Sequence, residues 1–272
     1  MATTQLAVLI LPKRTNMLFS TEVTSSKINS DKPLFQRTLK AYHIVSPCIH
    51  GNVLEIGCGE GYGVELLYKN ADQLTLIDKS SYTLKNIKEN YPKVTIIQEK
   101  IPPLSQLESN SFDVVVSFQV MEHIKDAELY LKEIHRVLKP TGKAYISTPN
   151  ASKTFVKNPW HYKEYTFEEL SKMFQNIFSK ATIQAIQGNE KTDVYYSLNQ
   201  KSVARFLRFD VFNLVNRMPS WLLKIPYEIA NRVNRKKLLH KNQGLVNSIT
   251  LDDYSLAAHS EMTLDFFCTL EK

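Results

Sequence analysis

Cysteine is scarce: Cys48, Cys58 and Cys268 are the three in 272 residues. They are too few and too scattered for a disulfide framework or a zinc ligand set, which predicts a reduced, cytoplasmic protein. No stretch approaches the ~18 consecutive apolar residues that span a bilayer. The longest early run, Leu6 to Leu11, precedes its basic pair Lys13-Arg14. A secretory signal has the reverse order, so none is expected. Residues 1–16 read as a frayed extension, with Met17 as an alternative start, inside an N-terminal arm of residues 1–33. Repeats and low-complexity tracts are missing too. At 43% hydrophobic and 22% charged residues, the chain is neither disordered nor fibrous. Its length exceeds the usual ~100–200 residues per domain, yet one α/β domain with an insertion accommodates it.

Short β-branched runs alternate with helix-period segments from about residue 34 to 187. Helix is predicted from Leu34 to Val45, Tyr62 to Asn70 and up to Tyr91. Asp126 caps a further helix with the stripe Ala127, Leu131, Ile134 and Leu138, and Thr166 with Glu169 forms a capping box before another. Strands are predicted at 52–56, 73–77, 94–97, 112–118, 143–147 and 181–186, with a late one at 262–270. Single helices between strands mean right-handed βαβ units and a parallel sheet.

Between residues 53 and 63, Val-Leu-Glu-Ile-Gly-Cys-Gly-Glu-Gly-Tyr-Gly carries a buried strand into a glycine turn and then a helix. Small residues let a ligand approach the backbone, and a helix start offers free N–H groups. The glycines at 57, 59, 61 and 63 depart from the G-x-G-x-x-G dinucleotide fingerprint. Asp78, at the end of the next strand, is well placed to accept both hydroxyls of a ribose.

These residues resemble the first two motifs of class I S-adenosylmethionine-dependent methyltransferases. Ser111 to His123 resembles that family's fourth-strand block, and Val137 to Asn150 its fifth. The ubiquinone-biosynthesis O-methyltransferase group is the nearest in pattern. The resemblance implies a doubly wound, mostly parallel seven-stranded sheet of order 3-2-1-4-5-7-6 over residues 34–200 and 243–272, with S-adenosylmethionine as cofactor. It implies that Gly57, Cys58, Gly59 and Gly61 face the methionine part, braced by Glu55. Asp78 and Lys79 would lie at the ribose, Ile101 at the adenine, and Phe118 with Gln119 beside the sulfonium. Two positions depart from the pattern. Lys100, next to Glu99, stands where an acidic residue usually meets the adenine amine. Gln119 replaces a carboxylate that helps hold a metal in the ubiquinone group; it lacks the anionic charge a hard cation favours, so no metal is expected.

Displacement at a sulfonium asks the protein to align three atoms and exclude water, and a hydroxyl nucleophile gains from a base near neutral pKa. His123 and His161 are the candidate catalytic bases, with Glu122, Trp160 and Tyr165 as substrate contacts. No nucleophile elbow or P-loop occurs, and Thr148-Pro-Asn150 follows the fifth strand, unlike the Asn-Pro-Pro-Tyr element of amino-methylating DNA enzymes.

Residues 201–241 break the rhythm with ten basic and two acidic residues, net +8, against −1 for the rest. Two helices around Met218-Pro219-Ser220 are predicted there. The first has the stripe Val203, Leu207, Val211, Leu214, Val215 and Met218, with Phe206, Phe209 and Phe212 opposite; Phe206 and Phe209 are further substrate candidates. This basic helical cap, residues 201–242, is expected over the acceptor site before the last strand. It suits a small-molecule, saccharide or lipid-linked acceptor, with O-methylation as the reaction and peripheral membrane contact through 201–241. Nucleic acid is the less favoured partner. The competing readings are an RNA-directed methyltransferase, a non-catalytic cofactor-binding module and a nicotinamide oxidoreductase.

Overall fold

The computed structural model describes residues 24–208 and 217–272, without the side chains of Tyr82 and Phe206. Residues 1–23, Met17 among them, and Phe209, Val211, Phe212, Leu214 and Val215 lie outside the described residues. The strands are β1 (Asn52–Ile56), β2 (Gln73–Asp78), β3 (Thr95–Gln98), β4 (Phe112–Phe118), β5 (Leu138–Pro149), β6 (Lys180–Gly188), β7 (Tyr254–Ala257) and β8 (Asp265–Glu271). They form one sheet of order 3-2-1-4-5-8-6-7. β1 to β5 pair in parallel. β8 inserts antiparallel between β5 and β6, and β7 adds an antiparallel edge. The expected order is thus met, with one strand more. Tyr254-Ser-Leu-Ala is too short, and too mixed in exposure, to announce itself as a strand.

Alternation along each strand divides the core. Val53, Val114 and Val116 face one side with Tyr42 and Val45 of α1 (Lys32–Val45), Leu67 of α2 (Val64–Tyr68) and Leu84 of α3 (Ser81–Asn90). Leu54, Val115 and Ile146 face the other, against Leu131 and Ile134 of α4 (Ala127–Val137) and Leu170 and Phe174 of α5 (Phe167–Gln175). Strands buried on both faces read as near-continuous apolar runs, which is why the sequence betrays them. The Asp126 carboxylate accepts from Leu129 N at 3.0 Å, and Thr166 and Glu169 cap each other's backbone as predicted.

The cap differs in extent. Its first helix, α6 (Glu190–Leu207), starts eleven residues before Lys201. Its Tyr195 joins the core, together with Leu238 of α7 (Ser220–Lys241) and Val246 of α8 (Gln243–Ser248). Two cap charges are not surface charges at all. Arg232 Nη1 lies 2.8 Å from both Asp31 carboxylate oxygens, and Arg235 Nη1 lies 2.9 Å from Oδ1. Asp31 is fully buried at the start of α1 and makes no side-chain capping bond, because these partners occupy its carboxylate. The same segment crosses the glycine turn: Ser25 Oγ meets Glu60 Oε2 at 3.0 Å, and Thr24 hydrogen-bonds Tyr62.

Candidate active site

β1 ends where Gly57, Gly59 and Gly61 take φ of 76°, 53° and 78°. Side chains rarely adopt this region, and a Cβ on Gly57 would sit 2.5 Å from Val120 Cγ2. The turn is therefore a cradle that only glycine leaves open. Beneath it, the Tyr42 hydroxyl donates to Glu55 Oε1 at 2.7 Å, while the buried Glu55 Oε2 has no hydrogen-bond partner among the described residues. Burial pushes the Glu55 carboxyl up to about 7, even though the Tyr42 hydrogen bond pulls it down. Asp78 Oδ2 accepts from Gly59 N at 3.2 Å, and Oδ1 from Ser80 N at 2.8 Å. An anionic acceptor is thus held at the end of β2, beside the glycines. Lys79 next to it is exposed and Ile101 half-buried.

Cys58 is buried, and burial raises its thiol further, so it stays protonated. The far wall is aromatic. The Phe118 ring meets Tyr42 edge-on at 4.8 Å and Phe267 at 5.9 Å. Gln119 takes φ 57° and is pinned to Ser147 by its N–H, 2.9 Å from the carbonyl, and by its amide, 3.3 Å from Oγ. A non-glycine residue held left-handed at a strand end is a feature of functional sites.

Immediately beyond β4, Glu122 is buried and accepts from Thr148 Oγ1 at 3.1 Å. Burial raises its carboxyl to about 7, against opposing pulls from His161 and Thr148. His123 Nδ1 lies 3.0 Å from the Trp160 carbonyl. A carbonyl only accepts, so Nδ1 carries the proton and the lone pair of the neutral ring is on Nε2. His161 is oriented from both ends: Nδ1 lies 2.6 Å from Glu164 Oε1, and Nε2 lies 2.9 Å from the Asn158 amide. The two rings meet edge-on at 4.7 Å. Among the described residues, Glu122, His123 and His161 each bring a ligand-type atom within 4.8 Å of the others, close enough to hold a metal ion.

Tyr165 is a core residue, buried and bridged to Asn150. Trp160 stands half-buried at the cap, with Lys224 Nζ 4.0 Å from its ring centroid; among the described residues its buried indole N–H meets no hydrogen-bond partner. Phe206 falls within α6, but its side chain, like the whole of Phe209, is outside the described residues. Sequence reasoning missed Arg37 and Asp265. Their side chains form a buried ion pair, Nε to Oδ2 at 2.9 Å, without hydrogen-bond alignment. Burial raises the Asp265 carboxyl, against the pull of Arg37, and both groups share a field with Glu164. The one sequence signal was an aspartate at the head of the apolar run of β8.

Residues 54–146 match the family model described as a methyltransferase domain. Residues 54–146 thus form a class I S-adenosylmethionine-dependent methyltransferase domain. A protein of Mycobacterium tuberculosis named a probable S-adenosylmethionine-dependent methyltransferase is 35% identical over 159 residues, covering 56% of this chain and 57% of its own. A ubiquinone biosynthesis O-methyltransferase of Xanthomonas oryzae is 30% identical over 102 residues, covering 36% and 43%. The chain thus spans about half the length of the curated relatives it matches. A crystal structure of a methyltransferase from Archaeoglobus fulgidus shares the fold at TM-score 0.51 and 17% identity, over 89% of this chain and 94% of that one. The domain's cofactor is S-adenosylmethionine, and the open glycine cradle, the unpartnered Glu55 oxygen and Asp78 fit it.

Proposed function

We propose that the protein transfers a methyl group from S-adenosylmethionine to a hydroxyl oxygen of a small-molecule, saccharide or lipid-linked acceptor by direct displacement. The observation that carries this reading is the His123–His161 pair, fixed in tautomer and orientation beside buried Glu122. When bound, S-adenosylmethionine supplies an electrophilic methyl group on a sulfonium. Gly57, Cys58, Gly59 and Gly61 line the methionine part with Glu55 beneath. Asp78 takes the ribose hydroxyls beside Lys79, Ile101 faces the adenine, and Phe118 and Gln119 flank the reacting centre. The aromatic wall excludes water, which keeps the reaction directed to the acceptor.

His123 Nε2 takes the hydroxyl proton as the O–CH₃ bond forms. His161, held by Asn158 and Glu164, packs against His123 and fixes its ring. Buried Glu122 offsets the imidazolium charge that develops. The Trp160 N–H, without a partner among the described residues, is a donor for the acceptor molecule, and Tyr165 anchors the loop in the core. The reaction needs no metal, since base and charge compensation come from side chains. Calorimetry with S-adenosylhomocysteine and with NADH tests the cofactor; tight binding of NADH alone would refute the reading. A mass gain of one CH₂ on a hydroxyl-bearing acceptor tests the transfer.

A further inference from the structure

The outward face of α7 carries large apolar side chains that the fold leaves in solvent. Trp221 is 71% exposed, Ile225 72%, Ile229 61% and Val233 60%, with Leu222 at 40%. Trp221, Ile225, Ile229 and Val233 recur every fourth residue, so they form one stripe along three turns. The same helix then presents Lys236, Lys237 and Lys241, all exposed. Scattered exposed hydrophobics are ordinary; a contiguous row of this size marks a contact surface.

We propose that this face of α7 docks on an anionic lipid surface. Charge selects the occupant. Arg232 and Arg235 point inward to Asp31, yet Lys236, Lys237 and Lys241 remain exposed, and Lys201, Arg205, Arg208 and Arg217 are exposed on the neighbouring cap residues. A second copy of the chain would bring two strongly basic caps together, whereas anionic headgroups meet the lysines while the stripe enters the acyl boundary. An apolar row with a basic flank, about 18 Å long from Trp221 to Val233, has the form of an interfacial helix. Among the described residues, no helix is long and apolar enough to cross a membrane, so the contact is peripheral.

The position of α7 gives the contact a purpose. Lys224 lies over the Trp160 ring, so the docked helix adjoins the loop that bears Trp160 and His161. A lipid-linked acceptor would reach the site from the same surface. This inference rests on the methyl-transfer reading only for that purpose; the docking itself is independent of it.

Flotation of the full chain with phosphatidylcholine vesicles, with and without phosphatidylglycerol, tests it. The chain should float with the anionic vesicles only. Replacing Ile225 and Ile229 by Asp should abolish flotation. The double substitution Lys236→Gln with Lys237→Gln should weaken it roughly 30-fold, from about 1 kcal/mol per basic residue. S-adenosylhomocysteine affinity, measured on each variant, reports that the fold is intact. Absence of flotation with anionic vesicles would overturn the proposal. So would flotation indifferent to both double variants, or a dimer that I225D/I229D dissociates while vesicles fail to bind. Cofactor binding without flotation defeats the docking alone, and flotation without cofactor binding defeats the methyl-transfer reading alone.

Discussion

Replacing Glu55 or Glu122 by glutamine should remove part of the pH dependence of stability. Both carboxyls are buried, and burial raises each from 4.5 to about 7. Between those values the folded chain holds more protons than the unfolded one. Stability from each group is therefore full below about pH 4.5 and is lost as pH rises through about 7. At about 1.4 kcal/mol per pH unit, each contributes roughly 3 kcal/mol across that window. Carboxylates held low, such as Asp253 at about 2, act in the opposite sense and below it. Glu55→Gln keeps an oxygen for the Tyr42 hydroxyl but cannot ionise. Urea unfolding at a series of pH values should then show a shallower fall in each single variant. In the double variant the fall left by Asp265, also raised by burial against Arg37, should persist, offset in part by His135, which burial holds below the usual imidazole value. An unchanged slope in both single variants would mean that these carboxyls ionise as if in water, which would refute the burial argument.

Asp78→Ala should weaken S-adenosylhomocysteine binding about 100-fold or more, the loss of two hydrogen bonds to a charged acceptor; unchanged affinity by calorimetry removes Asp78 from the ribose. His123→Ala should lower kcat by roughly 10²–10⁴ while cofactor affinity holds, and His161→Ala should act in the same direction through ring orientation; full turnover in both ends the base hypothesis. Dialysis against a chelator should leave turnover unaltered, whereas loss restored by a divalent cation would assign Glu122, His123 and His161 to a metal. Gly57→Ala should cost about 1–3 kcal/mol of stability and abolish cofactor binding, because the new methyl group must displace Val120 from a strained turn.

β1 and β4 were legible because strands buried on both faces read as near-continuous apolar runs, and β2 because Asp78 marks its end as Gly57 marks that of β1. The start of α6 was not. Glu190 to Leu207 mixes charged, polar and apolar residues, and its core contacts are the adjacent Tyr195 and Tyr196 with Leu198, which give no clean apolar stripe. The cofactor cradle could be read from glycine spacing, since positive φ leaves a mark in composition. The acceptor side was half legible. His123 and His161 stood out by chemistry, and their mutual contact required the loop after β5 to fold back onto the turn that follows β4. Arg37 and Asp265 come from opposite ends of the chain, and no local pattern relates them. The net charge of the cap was overread, because two of its arginines turn inward to Asp31.

That carboxylate makes two peripheral segments a single cooperative unit. Pulling the arm from the glycine turn would take the buried Arg235 guanidinium from its carboxylate; lifting α7 would take both guanidinium groups from Asp31. Each route alone incurs a penalty of about 3–5 kcal/mol for an uncompensated buried charge. Arm and cap are therefore expected to open together, so that access to the cofactor cradle and access to the acceptor loop become one event.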